Sequence, residues 1–179
     1  MPAAVLAALL CAGADDPPAL RPTRDVDVTY ALDAGGGPAL HERLRWSVTT
    51  RALRLDPPSA GLYVIIDLAA RHMSTVRVAD RSVIETAAPA NLVGVPDSAA
   101  GALRQGEDMI AGLACTEWQI KDAVGQATLV CLTQDGVLLR ARARGRTLLS
   151  AEAVRYGPLD PALFQVPPDY ARRSLGTPR

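Results

Sequence analysis

The amino-acid sequence predicts a mainly β (α+β) domain, and three observations carry that reading. Short segments between residues 25 and 87 alternate apolar and polar side chains with a period of two. Turn-forming residues separate them at close spacing, as in an antiparallel meander. Two of only three cysteines, Cys115 and Cys131, flank a segment that reads as a hairpin.

The elements follow in order. Val26, Val28, Tyr30 and Leu32 share one side of the first strand, and the glycine-rich "DAGGGPA" turns the chain. Leu40, Leu44, Trp46 and Val48 then alternate with His41, Arg43, Arg45 and Ser47. "RALRLD" is a short strand stopped by Pro57-Pro58. "GLYVIIDL" is apolar on both parities from Leu62 to Ile66, which places it mid-sheet, and "HMSTVRV" and "RSVIET" complete six strands. Residues 87–106 lose the period of two. Asp97 or Ser98 caps an expected short helix through Arg104, ended by Gly106 and lying over one face or mouth of the sheet.

The hairpin after it centres on Ala123, with Gly125 free to take a positive φ. That register sets Cys115 opposite Cys131 and Trp118 opposite Thr128, and puts Trp118, Ile120, Val130 and Leu132 on one face. Opposed Cβ atoms lie about 4.5–5.5 Å apart, close to the roughly 3.5–4.5 Å of a disulfide. The pair therefore reads as a cross-strand staple. Two buried free thiols or a redox pair remain as alternatives, although no Cys-x-x-Cys and no adjacent cation favours a thiolate. Asp135-Gly136 signals a two-residue hairpin, a second turn falls near Gly145, and Asp160 before Pro161 starts a one-turn helix.

Domain organisation is simple. The 179 residues suit one domain, expected over residues 25–170. The start, "MPAAVLAALLCAGADDPP", has an apolar run from Ala3 to Leu10, too short for the roughly 20 residues that span a bilayer. Ala12-Gly13-Ala14 has the small-x-small pattern of a signal-peptidase site, so residues 1–14 read as a signal peptide cleaved after Ala14, although no Lys or Arg precedes the run. Residues 15–24 read as a disordered linker and 171–179 as a flexible tail. A lipoprotein anchor at Cys11 would need a small residue before it, and Leu10 is large. Cleavage leaves two cysteines, an even number suited to the periplasm or exterior.

Composition excludes little and points nowhere sharply. The chain is 49% hydrophobic and carries 19 basic and 19 acidic residues, so net charge gives no case for nucleic acid. His41 and His72 lie in alternating strands with no nucleophile motif and no metal-ligand spacing, and no phosphate loop or dinucleotide fingerprint occurs. No enzyme activity, metal or cofactor is expected. Arg140, Arg142, Arg144 and Arg146 share one side if their strand runs that far, a row shaped for phosphate or carboxylate. The same row also reads as charge that guards an exposed strand against edge pairing.

The order of these features resembles the LolA-like superfamily, which includes the periplasmic outer-membrane lipoprotein carrier. The resemblance rests on "GEDMIAGLACTEWQI" and the terminal "DPALFQVPPDY", with Gly106, Gly112, Cys115, Trp118, Thr133, Asp135 and Gly136 matching a branch whose second segment ends in "T-x-D-G". It implies a strongly curved antiparallel sheet, an unclosed β-barrel, with one or two short helices over an apolar concave side. By that resemblance the protein is a periplasmic binding module for a lipid, acyl chain or other amphipathic ligand. A cell-envelope interaction protein with a filled cavity is the alternative. Only "ADDPPALRPTR" stands where the carrier has a long amphipathic helix, which separates this chain from lipoprotein transport itself.

Overall fold

The computed structural model describes residues 17–89, 98–121 and 125–174. Its strands are β1 (Val26–Leu32), β2 (Leu40–Ser47), β3 (Ala52–Asp56), β4 (Leu62–Asp67), β5 (His72–Arg77), β6 (Ser82–Ala87), β7 (Leu103–Ile110), β8 (Leu113–Lys121), β9 (Ala127–Leu132), β10 (Leu138–Ala143), β11 (Arg146–Tyr156) and β12 (Ala171–Ser174). They form one sheet in the order β12-β6-β5-β4-β3-β2-β1-β11-β10-β9-β8-β7. Only β12 runs parallel to its neighbour, and β7 and β12 stand at opposite ends, so the sheet is open.

Alternation in the sequence becomes two faces. On the first, Val26, Val28 and Tyr30 meet Trp46, Leu44 and Glu42 of β2, and the series passes through Leu53 and Leu55 to Ile66 and Val64. On the other flank it continues through Ala151 and Leu149 to Ala141, Val130 and Trp118. Sheets of more than about ten strands curl or split rather than stay flat. Here, residues from β4 round to β8 belong to a single continuous core. The opposite face carries the ion pairs of β1–β3 and β7–β10. Over β4–β6 it holds Ile65, Ser74, Val76 and Val83, all buried. The C-terminal segment docks on this side, where Arg54 donates to the Leu163 carbonyl and Arg81 pairs with Asp169. Both parities of β4 are buried, as expected of a strand four places in from the sheet edge.

The structure departs from the sequence reading in several places. Residues 98–102 form no helix, and Leu103 to Gly106 belong to β7, whose ladder with β8 bulges between Arg104 and Gly106. The proposed cap Asp97 lies outside the described residues. The one described helix is the 3-10 turn Pro161–Phe164, capped by the Asp160 carboxylate accepting from Ala162 N–H. It lies beside β3 on the ion-paired face, where Arg54 reaches Leu163, and not over the apolar one. Residues 171–174, expected in a flexible tail, add strand β12 to β6. The linker is not free either, because Thr23 N–H donates to the Asp135 carbonyl. The signal-peptide and Cys11 readings fall on residues outside the description.

The hairpin register differs by two. Trp118 faces Val130, and Glu117 rather than Cys115 faces Cys131. The cysteines are bonded nonetheless, as diagonal neighbours with Cα atoms 5.4 Å apart. A diagonal pair remains on one face, so strand twist brings the sulfurs together without direct opposition. The residues at the tip of this turn, 122–124, lie outside the description. The Asp135-Gly136 turn closes as a three-residue loop, with Thr133 N–H bonded to the Val137 carbonyl and Gly136 at φ 84°.

Candidate functional site

The charges of the ion-paired face are met largely by its own side chains. Asp27 accepts from Arg43 Nε at 2.8 Å, and Arg45, itself only 8% exposed, bridges Asp27 and Asp56. Burial pushes the Asp27 carboxyl up, but Arg43, Arg45 and Arg155 more than offset it and hold it below the usual carboxylate range. Farther along the sheet Arg140 reaches Asp108 and Glu117, both at 2.6 Å, above the strands that carry the disulfide.

The expected arginine row is split here. Arg140 and Arg142 share Glu117, the latter at 3.6 Å. The strand ends at Ala143, and Arg144 takes a left-handed φ of 51° in a two-residue turn with Gly145, its guanidinium on Gln126. Arg146 opens β11 and binds Asp33 at 2.5 Å. Four guanidinium groups thus meet internal acceptors on separate elements. The histidines are similarly employed, His41 with Glu152 at 2.9 Å and His72 near Glu85 at 3.9 Å.

A second built feature surrounds the "T-x-D-G" turn. Thr133 Oγ1, Arg24 Nε and Tyr156 Oη all donate to the Asp135 carboxylate, and Arg24 stacks 3.9 Å from the Tyr156 ring centroid. Burial raises Asp135, while these three donors win and hold it below its ordinary range. A Cβ on Gly136 would run into the Arg21 carbonyl. Glycine is therefore required twice, by its φ and by the N-terminal segment laid against it.

The apolar face behaves differently. Trp46, Leu53, Ile66, Met73 and Thr86 form one row across five strands. At its two ends, Trp46 Nε1 and Thr86 Oγ1 are buried without a hydrogen-bond partner. On the same face of β2 as Trp46, Glu42 stands opposite Tyr30. Tyr30 is 2% exposed, and its hydroxyl donates to the Leu138 carbonyl at 2.6 Å, leaving nothing for Glu42. Burial alone raises the Glu42 carboxyl above its usual value. Buried polar groups in folded proteins nearly always have partners, so Trp46 Nε1 and Thr86 Oγ1 stand out, whereas the Glu42 carboxylate is only half-buried. Sequence reading passed over Glu42, yet it interrupts the apolar series Leu40, Leu44, Trp46, and that gap is its signal.

Clefts of about 540 and 510 Å³ flank the Gln134 turn and open at the sheet margin, one beside Asp108 and Cys115 and the other beside Arg24 and Asp135. Among the described residues no group of three or more His, Cys, Asp or Glu is placed to hold a metal ion. No helix among them is long and apolar enough to cross a membrane.

No protein-family model and no curated protein matches this chain. Solved structures do. An uncharacterised conserved protein from Thermus thermophilus aligns with a TM-score of 0.61 at 13% identity, covering 85% of this chain and 91% of that one. PNGF-II aligns at 0.53 and 14% identity over 85% of this chain, which spans only 31% of PNGF-II. MucB, in its complex with MucA, aligns at 0.46 and 15% identity over 82% of this chain and 56% of its own. At these identities the first two alignments show a shared fold and nothing more, and the MucB match is more distant still.

Proposed function

We propose that this chain is a non-catalytic binding module of the cell envelope that holds an apolar or amphipathic ligand against the apolar face of its open sheet. The observation that supports it is the row from Trp46 to Thr86, apolar in its middle and closed at each end by a polar atom that the described fold leaves unsatisfied. Both atoms are buried, so a molecule with its own polar groups would satisfy them only where the curled sheet parts to admit it. The Cys115–Cys131 bond suits an oxidising compartment, in keeping with a secreted chain of LolA-like kinship. Titration with a fluorescent acyl-chain probe, followed by native mass spectrometry, tests the reading. Saturable one-to-one uptake is expected. Absence of uptake, together with no co-purified lipid, would overturn it.

A second reading, contact with an envelope protein, is favoured by the sheet end at β7. There, Leu103 and Met109 are 54% and 64% exposed beside a bulged strand. Photocrosslinking from position 109 in the envelope would distinguish the two, because ligand carriage predicts no discrete protein adduct there.

A further inference from the structure

Antiparallel pairing sends successive turns to alternate ends of the strands. The β1–β2, β5–β6 and β10–β11 turns share one end with the start of β7, since Leu32 pairs with both Leu40 and Leu149, Arg77 with Ser82, and Leu103 with Gln119 near the close of β8. Exposed apolar side chains gather at this end. Among the described residues Leu40, Val78, Leu103 and Leu148 stand here, against Val48 and Met109 at the other end. Leu40 and Leu148, 47% and 46% exposed, flank an open cleft of about 410 Å³ that Leu32, Ala39 and Arg146 line. The Asp33 N–H, donated to the Leu148 carbonyl, holds the two turns side by side.

Charge leans the same way. Arg77, Arg81, Arg104 and Arg146 meet Asp80, Asp169, Glu107 and Asp33 in exposed pairs. Arg144 rests on the neutral Gln126 amide, and exposed Lys121 has no acidic partner among the described residues, so positive charge is in excess here. At the opposite end the turns are close to balanced, with Arg24, Arg51 and Arg71 against Asp25, Asp67 and Asp135. Single leucines on separate turns, interleaved with guanidinium groups around an open cleft, suit a soft plane rather than a shaped partner. Leucine tips enter the acyl boundary of a bilayer one by one, while arginine stems lie along it and carry charge to lipid phosphates. The turn at Gly35 and Gly36 has no side chain to hold this end away. We propose that this end of the sheet docks on an anionic lipid surface, with Leu40, Leu148, Arg144 and Arg146 at the centre of the contact and Val78 and Leu103 farther round the rim. The proposal goes beyond the ligand reading and does not depend on it, because it uses the rim of the sheet and not its apolar face.

The test is co-sedimentation of the full chain with vesicles of phosphatidylglycerol and phosphatidylcholine, and with vesicles of phosphatidylcholine alone. Three double variants accompany it: Arg144→Gln with Arg146→Gln, Leu40→Thr with Leu148→Thr, and, as the control at the other end, Arg51→Gln with Arg71→Gln. All replace exposed side chains, so thermal unfolding of each should match that of the unmodified protein, which separates lost binding from lost folding. The unmodified chain should bind the anionic vesicles, less so as salt is raised, and should bind the neutral ones weakly. The Arg144/Arg146 variant should lose about tenfold in affinity, the scale of two basic side chains at an anionic surface. The Leu40/Leu148 variant should also bind less well, and the Arg51/Arg71 variant should bind as the unmodified chain does. Equal affinity of all four proteins would place the contact on another segment and overturn the proposal, as would loss confined to the Arg51/Arg71 variant. Absence of vesicle binding overturns it too, and binding of polyglutamate through Arg144 and Arg146 in that case would assign this end to an acidic protein instead.

Discussion

Asp27 and Glu42 belong to one strand pair, β1 and β2, and face opposite sides of the sheet. Both are partly buried, yet their carboxyl groups shift in opposite directions. Burial lifts Asp27, and three arginines then bring it below its ordinary range. Burial lifts Glu42 and nothing brings it back. The difference is one of partners, and it repeats at larger scale. Among the described residues the ion-paired face meets its charges largely internally, from the Arg45 bridge to the Arg140 fork, although Arg140 Nε is itself buried without a partner. On the apolar face an indole N–H and a hydroxyl are buried without a partner, beside a half-buried carboxylate that no described cation pairs.

The largest effect should come from the staple on the ion-paired face. Replacing both Cys115 and Cys131 with alanine should lower stability by about 3 kcal/mol in the chain-entropy account of a loop this long. Denaturant unfolding measures this, and because the staple lies on the other face, affinity for an apolar probe should stay the same. Gly136→Ala should cost roughly 2 kcal/mol, from a left-handed backbone position and the contact with Arg21. Faster amide exchange at Thr23 would show the N-terminal segment lifting from the turn.

The sharpest pair is smaller. The folded pKa of Asp27 lies below its unfolded value, so its charge stabilises the fold above the ordinary carboxylate range, and that contribution is lost as pH falls through the folded pKa. Asp27→Asn should therefore destabilise at pH 7, on the order of 1 kcal/mol, with the deficit shrinking in acid. The folded pKa of Glu42 lies above its unfolded value, so its charge opposes folding at neutral pH, and stability is regained as pH falls. Glu42→Gln should be slightly more stable than the unmodified protein at pH 7 and indistinguishable from it in acid. Unfolding curves for the two variants across pH would erase the contrast if both moved in the same direction.

Much of this was legible in the sequence because alternation is local. The first six strands and both faces of β1 and β2 follow from a period of two, and the Asp160 cap follows from its neighbour Pro161. Pairing of the two cysteines was legible; their register was not, since opposed and diagonal positions share a face and differ only through twist. Leu103 and Arg104 read as the end of a short helix stopped by Gly106, because residues 87–106 lose the period of two, and β7 owes its form to pairing with β8. The arginine row failed where a two-residue turn at Arg144-Gly145 cut the strand. The candidate site was half legible. Its apolar series was plain, but the meaning of Glu42 depends on the absence of a partner across the fold, which no local pattern records.

The most direct test of the central claim is a side-chain N–H nuclear magnetic resonance titration with a C12 amphiphile, following the Trp46 indole and the arginine Nε signals together. If the apolar face is the binding surface, the Trp46 Nε1–H signal moves downfield in a saturable way as it gains an acceptor, and the Arg43 and Arg140 signals stay fixed. A stationary Trp46 signal with shifting arginines would place binding on the other face and contradict the account.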